Sequence, residues 1–292
     1  MIAGLALAVA SALATNVAFL FKQRGALLAP PVSVRHPLRS AADLFRSRWF
    51  TLGWIVAVGA WGLHVGALAL APLSIVQAVL AGGLVFLAVF AERYFGFQLG
   101  RRQWVGLLIT AVGLTVVGLT SGRQGGDVPG YALAALIVME TTILGLATGF
   151  ALVSHRLGLS PARQGMLLGA CAGALFGVSD IAIKYLSDAV QGGLLELLSP
   201  WSFAALAASV VAFYASARGF QLGPGIEVIA FTSVAANLTA IVGGILVFRD
   251  PVGTGPVTIT ARALAFGLVI AGAALMPAPV RATRQATDAV SP

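Results

Sequence analysis

The sequence predicts an all-α integral membrane protein, and three observations carry that prediction. Hydrophobic residues make up 59% of the 292 and charged residues 10%, against about 25% charged in a soluble domain. Apolar runs of about 20 residues, long enough to cross a bilayer as helix, recur along the whole chain. The basic residues fall mainly in short segments between those runs. Strand-type alternation is absent, which argues against a β-barrel.

Nine spans can be read: 2–21, 49–70, 72–92, 104–120, 131–153, 166–186, 201–221, 224–248 and 262–278. The opening stretch "MIAGLALAVASALATNVAFLFKQRG" has no basic residue before its apolar core; Lys22 and Arg24 follow it. It reads as a first span with its N-terminus outside, not as a cleavable signal. On that topology fourteen basic residues fall on the cytoplasmic side and four (Arg123, Lys184, Arg249 and Arg262) on the outer side. The net charge of +8 is therefore a topology signal in a multi-pass plasma (inner) membrane protein with a cytoplasmic C-terminus. It gives no reason to invoke nucleic acid. A single cysteine, Cys171, leaves no internal disulfide and no multi-cysteine metal site.

The longest loop, 22–48, runs into "SAADLFRSRWF" (40–50). Ser40 with Asp43 reads as a weak capping signal. Leu44 and Phe45 among Arg39, Arg46 and Arg48 suit either a short helix on anionic headgroups or a basic loop that only sets topology. "SGRQGGDVPG" (121–130) is a linker, and 279–292 is a polar tail.

An internal repeat is visible. "ALATNVAFLFK" (12–22) aligns with "ALFGVSDIAIK" (174–184), and "GALALAPLSIVQAV" (66–79) with "RGFQLGPGIEVIAF" (218–231), Pro72 falling on Pro224. The chain then parses into a first four-helix repeat (1–120), a linker with the fifth helix (121–160), a second four-helix repeat (161–278) and the tail. Equivalent helices are an odd number of spans apart, so the two copies are inverted, as in many alternating-access transporters.

The segments "APLSIVQAVLAGGLVFLAVFAERYFGFQLGRRQWVGLLITAVGLTVVG", "GLALAVASALATNVAFLFKQRG" and "LAPLSIVQ" resemble the drug/metabolite transporter superfamily. Within it, the nine-span layout and basic first loop are most similar to the NIPA-like magnesium transporters. The resemblance covers nearly the whole chain. It implies an inverted-repeat bundle with a central solute path, and Mg²⁺ as substrate.

Polar residues inside apolar spans are the candidate site. Gly169, Gly173, Gly177, Asp180 and Lys184 fall within roughly an 80° arc at 100° per residue. The small residues allow close helix approach, so the two charges are expected to face protein. Asp180 and Lys184, four apart, are either a self-neutralising structural pair or a cation-binding acid with a surrogate cation. The equivalent stripe on the first helix is Leu7, Ser11, Thr15, Ala18 and Lys22, and the first and sixth helices are expected to pack through these small faces.

Glu140 lies in the fifth span with no basic residue within a turn. Such an acid is protonated, binds a cation, faces a watery groove or is paired from another helix. Asp180 and Glu140 are thus the candidate metal-binding groups, with Gln77, Asn237, Glu227 and Asn16 as further liners. Glu227 also suits the dipole at the start of the eighth helix. His64 reads as a packed, hydrogen-bonded residue beside Trp54 and Trp61. Glu92–Arg93 and Arg249–Asp250 read as interface pairs.

No His-Glu-x-x-His, G-x-S-x-G or P-loop pattern occurs, so no enzyme and no cofactor are expected. Two other readings stay open: export of a small amine, amino acid or lipid-like metabolite, with Trp54, Trp61 and Phe176 lining the path, and a non-transporting membrane scaffold or assembly factor.

Overall fold

The computed structural model describes residues 2–33, 35–70, 73–120, 133–189, 200–247 and 255–275. They form ten α-helices: α1 (Ile2–Leu28), α2 (Pro37–Arg46), α3 (Arg48–Leu70), α4 (Leu73–Phe95), α5 (Arg101–Thr120), α6 (Leu133–Val153), α7 (Pro161–Ala189), α8 (Pro200–Leu222), α9 (Gly225–Leu246) and α10 (Pro256–Leu275). A 3₁₀ turn, Ser154–Arg156, follows α6. Each expected span has a helix. α1 runs past Lys22 and Arg24, because long basic side chains can stay in a helix and reach sideways for a polar or aromatic partner. α10 starts at Pro256, so Arg262 lies well inside the helix and is buried.

The surface and the interior are inverted relative to a soluble protein. Large apolar side chains point outward: Leu146 is 71% exposed, Leu264 66% and Leu206 63%. Much of the buried interior is alanine, among them Ala8, Ala12, Ala172, Ala208 and Ala212. Small residues inside allow close helix contact, and bulky apolar residues outside suit lipid. Among the described residues, Ile2–Leu28, Pro161–Ala182 and Pro200–Leu222 are long and apolar enough to cross a membrane, and Ile137–Val153, Gly225–Ala240 and Pro256–Val269 are shorter apolar segments. The fold is that of an all-helical, multi-pass membrane protein.

α1 packs on α3 and α4, α7 packs on α8 and α9, and α5 packs on α4 and α10. α9 starts at Gly225, directly after Pro224. The glycine stripe of α7 is a seam with α9. A Cβ on Gly169 would lie 2.8 Å from the Val228 carbonyl oxygen, and one on Gly177 2.6 Å from Thr239 Cβ. This corrects the expectation that α1 and α7 pack through their small faces. The α1 stripe instead meets its neighbours in chain order, with the Ser11 hydroxyl donating to the Ala60 carbonyl of α3 (2.9 Å). Gly53 of α3 also sits where a Cβ would be 2.7 Å from Lys22 Cγ.

Segment 37–46 is a helix, so the reading as a plain basic loop is set aside. The cap expectation is corrected too. His36 precedes the helix without a side-chain cap bond and Pro37 opens it. Ser40 is already inside the helix, where its hydroxyl accepts from the Ser33 N–H (3.0 Å). Leu44 is fully buried and the Phe45 ring packs on Phe50, Trp54 and Phe213. Leu44 and Phe45 thus pack on protein, while Leu38 at the helix start stays exposed. Tyr214 of α8 fixes the helix start by donating to the Pro37 carbonyl (2.9 Å).

Candidate functional site

The acids expected to matter lie in two places. The first is the end of the bundle where α1 finishes and α5 and α9 begin. Gly100 precedes α5, and its N–H donates to Gln103 Oε1 (2.7 Å), which reproduces half of a capping box. The other end of the same amide, Gln103 Nε2, donates to Glu227 Oε1 (2.8 Å). Glu227 is 4% exposed. It stands in the first turn of α9, where a carboxylate is favoured by the helix dipole and bonds its own backbone N–H. Gln23 of α1 is buried alongside: a Cβ on Gly225 would be 2.7 Å from its Cδ. Glu227 is therefore a partnered acid that joins α5 to α9. Sequence reasoning missed Gln103, since a glutamine after Arg101–Arg102 carries no local signal.

Asn16 is also committed to packing. Its Nδ2 donates to the Ala12 carbonyl (2.8 Å) and to the Gly83 carbonyl of α4 (2.9 Å). Asn237 Nδ2 donates to the Ser233 carbonyl of its own helix (2.8 Å), and its Oδ1 accepts no hydrogen bond from the described residues. Gln77 lies on α4, but its side chain falls outside the described residues.

The second place is on α6 and α7. Glu140 is 3% exposed, and neither carboxylate oxygen has a hydrogen-bond partner among the described residues. The adjacent Thr141 turns away and donates to the Ile137 carbonyl (2.6 Å). Asp180 is exposed, contrary to the expectation that it faces protein. The seam explains this. Gly169, Gly173 and Gly177 form one i, i+4 row, the kind of ridge that packs into a neighbouring helix, and Ile181 is its next member while Asp180 is not. Ile181, not Asp180, thus continues the seam, packing where a Cβ on Gly243 would sit. Met139 and Ile181, the neighbours of the two acids, share one buried cluster with Val247. That cluster places Glu140 and Asp180 at one level of α6 and α7. Lys184 lies one turn further on α7; its side chain, and with it the Asp180–Lys184 pair, falls outside the described residues. Among the described residues no group of three or more His, Cys, Asp or Glu side chains is placed to hold a metal ion.

Other expectations change. His64 is not the hydrogen-bonded residue expected, since its Nδ1 is buried without a partner. Glu92 does not pair with Arg93. Its Oε1 accepts from the Leu99 N–H and the Trp104 indole (3.1 Å each), closing the turn between α4 and α5. Asp250 and Arg249 lie outside the described residues. Lys22 sits with its Nζ 4.4 Å from the Phe19 ring centroid and 5.2 Å from that of Trp54. It is an aromatic-boxed cation where the sequence showed only a topology signal.

The fold and its buried acids define a class, a multi-pass helical membrane protein with a carboxylate inside the bundle that has no partner among the described residues. No family model and no solved structure matches the chain. It is distantly homologous to the Arabidopsis thaliana protein named "Probable magnesium transporter NIPA9", with 24% identity over 292 residues, covering 95% of this chain and 83% of the relative. The resemblance to NIPA-like proteins of the drug/metabolite transporter superfamily thus holds as distant homology across nearly the full length.

Proposed function

We propose that the protein is a secondary transporter in the plasma membrane that moves Mg²⁺ or another divalent cation by alternating access. The observation that carries this reading is Glu140, whose two oxygens are buried in α6 without a donor among the described residues. A buried ionised carboxylate with no partner is strongly unfavourable, and a bound cation or proton removes the cost. Asp180, at the same level and accessible, is the second acid. Mg²⁺ usually keeps several waters and uses one or two carboxylates, so two acids without a dense acidic ring suit it. Asn237 and Gln77 would serve as neutral oxygen ligands. We assign Glu227 and Asn16 to packing, because each already has partners.

Nine spans, arranged as two inverted four-helix repeats joined by α6, complete this reading. The recurrence of the α1–α3–α4 packing as α7–α8–α9 supports it. The distant relative's printed name supports the substrate class.

The test is flux in proteoliposomes made with the full chain, comparing Mg²⁺ with a panel of small amines. Glu140→Gln, and separately Asp180→Asn with Lys184→Met, should keep the protein monodisperse and lower Mg²⁺ flux at least roughly tenfold, which equals about 1.4 kcal/mol. Wild-type flux in both variants would remove the acids from the path. Transport of amines without metal would leave a carrier and discard the magnesium assignment.

A further inference from the structure

We propose that the pocket between the end of α1, the end of α2 and the start of α3 binds the headgroup of an anionic phospholipid. The cavity is about 410 Å³ and its lining includes Leu28, Asp43, Arg46, Ser47, Arg48 and Trp49. Asp43 takes up the Arg46 guanidinium through a 2.8 Å ion pair. Arg48 has no carboxylate partner among the described residues. Nor does Arg24, whose guanidinium stacks 4.2 Å from the Trp49 ring centroid. Arg46 and Arg48 against Asp43 leave the lining one positive charge in surplus, and Arg24, stacked on the lining residue Trp49, adds a second beside it. The Ser47 hydroxyl, between Arg46 and Arg48 in the chain, is buried and has no hydrogen-bond partner among the described residues. Guanidinium forks and a hydroxyl together match a phosphodiester.

The surroundings select a lipid over a diffusible phosphate. Leu28 in the lining and Leu27 next to it are 64% and 52% exposed. Exposed leucines next to arginines and a tryptophan, at the end of membrane-spanning helices, describe the boundary between acyl chains and headgroups. Leu44 of α2 does not supply this contact, because it is buried in protein. The lipid's headgroup enters the pocket while its chains lie along the leucines. The site is separate from Glu140 and Asp180 and does not depend on what is transported.

The experiment measures phospholipid bound to the purified full chain in detergent, by native mass spectrometry and by the thermal shift on adding lipid. Phosphatidylglycerol should bind more tightly than phosphatidylcholine. Each guanidinium removed should cost about fivefold, so Arg24→Gln with Arg48→Gln should weaken phosphatidylglycerol roughly 25-fold. Arg39→Gln, on α2 but outside the pocket, should change nothing. Ser47→Ala covers the case in which the double variant misfolds. It should leave the lipid-free melting temperature unchanged or higher, yet reduce the shift produced by phosphatidylglycerol. Equal binding of the two lipids would overturn the proposal, as would an equal loss in Arg39→Gln or an unchanged lipid shift in Ser47→Ala. Saturable binding of glycerol phosphate that competes fully with the lipid would show a soluble phosphate site instead.

Discussion

Gly173→Ala is the sharpest test of how α7 is held. In the seam, a Cβ at Gly173 would overlap the Thr232 carbonyl oxygen, and would lie 2.8 Å from the Thr232 carbonyl carbon and 3.0 Å from Ala235 Cβ. Ordinary van der Waals contact begins at 3.4 Å, and the obstacle is mostly backbone, which cannot rotate aside. One methyl therefore requires α7 and α9 to part by more than half an ångström along the seam. Overpacking of this kind costs about 1–3 kcal/mol, offset by about 1 kcal/mol of helix propensity gained on replacing glycine. Gly145 on α6 supplies the control: a Cβ there meets nothing within 4 Å, so Gly145→Ala should be neutral or slightly stabilising. Thermal unfolding of the purified chain in detergent should place Gly173→Ala several degrees below wild type and Gly145→Ala level with it. If Gly173→Ala melts with wild type or above it, the seam does not set the helix spacing.

The Gln103–Glu227 bond should behave as a buried pair. Gln103→Leu strands a carboxylate that is 4% exposed and uncaps α5, for about 1–3 kcal/mol of destabilisation. Adding Glu227→Leu should recover part of it, and strict additivity would show that the two do not interact. The charge asymmetry predicts that a cysteine at Gly125 labels from outside with an impermeant thiol reagent, and one at Ala282 from inside, in a Cys171→Ser background. Reversed labelling would remove the nine-span topology.

The sequence by itself determined the fold class. Length, apolarity and charge placement are one-dimensional properties, and a bilayer converts them directly into helices, since each backbone polar group must be satisfied within its own span. The same logic marked Glu140, because an acid in an apolar run is visible without coordinates. Helix pairing was a different matter. The glycine stripe of α7 announced a close neighbour but could not say which, because several helices are equally apolar; the contacts with Thr232 and Thr239 decided it. Roles that depend on reach across the bundle were also invisible. In the sequence Asn16 and Glu227 read as liners of a solute path and Glu92 as a partner of Arg93, yet each is bonded to a group distant along the chain or in the next turn. Asp180 looked enclosed, yet the contact with α9 runs along the i, i+4 row of the glycines, so Ile181 carries it on to Gly243 and Asp180 stays outside it. Partnership of a side chain is set by where other helices stand, and that is fixed only when the whole bundle packs.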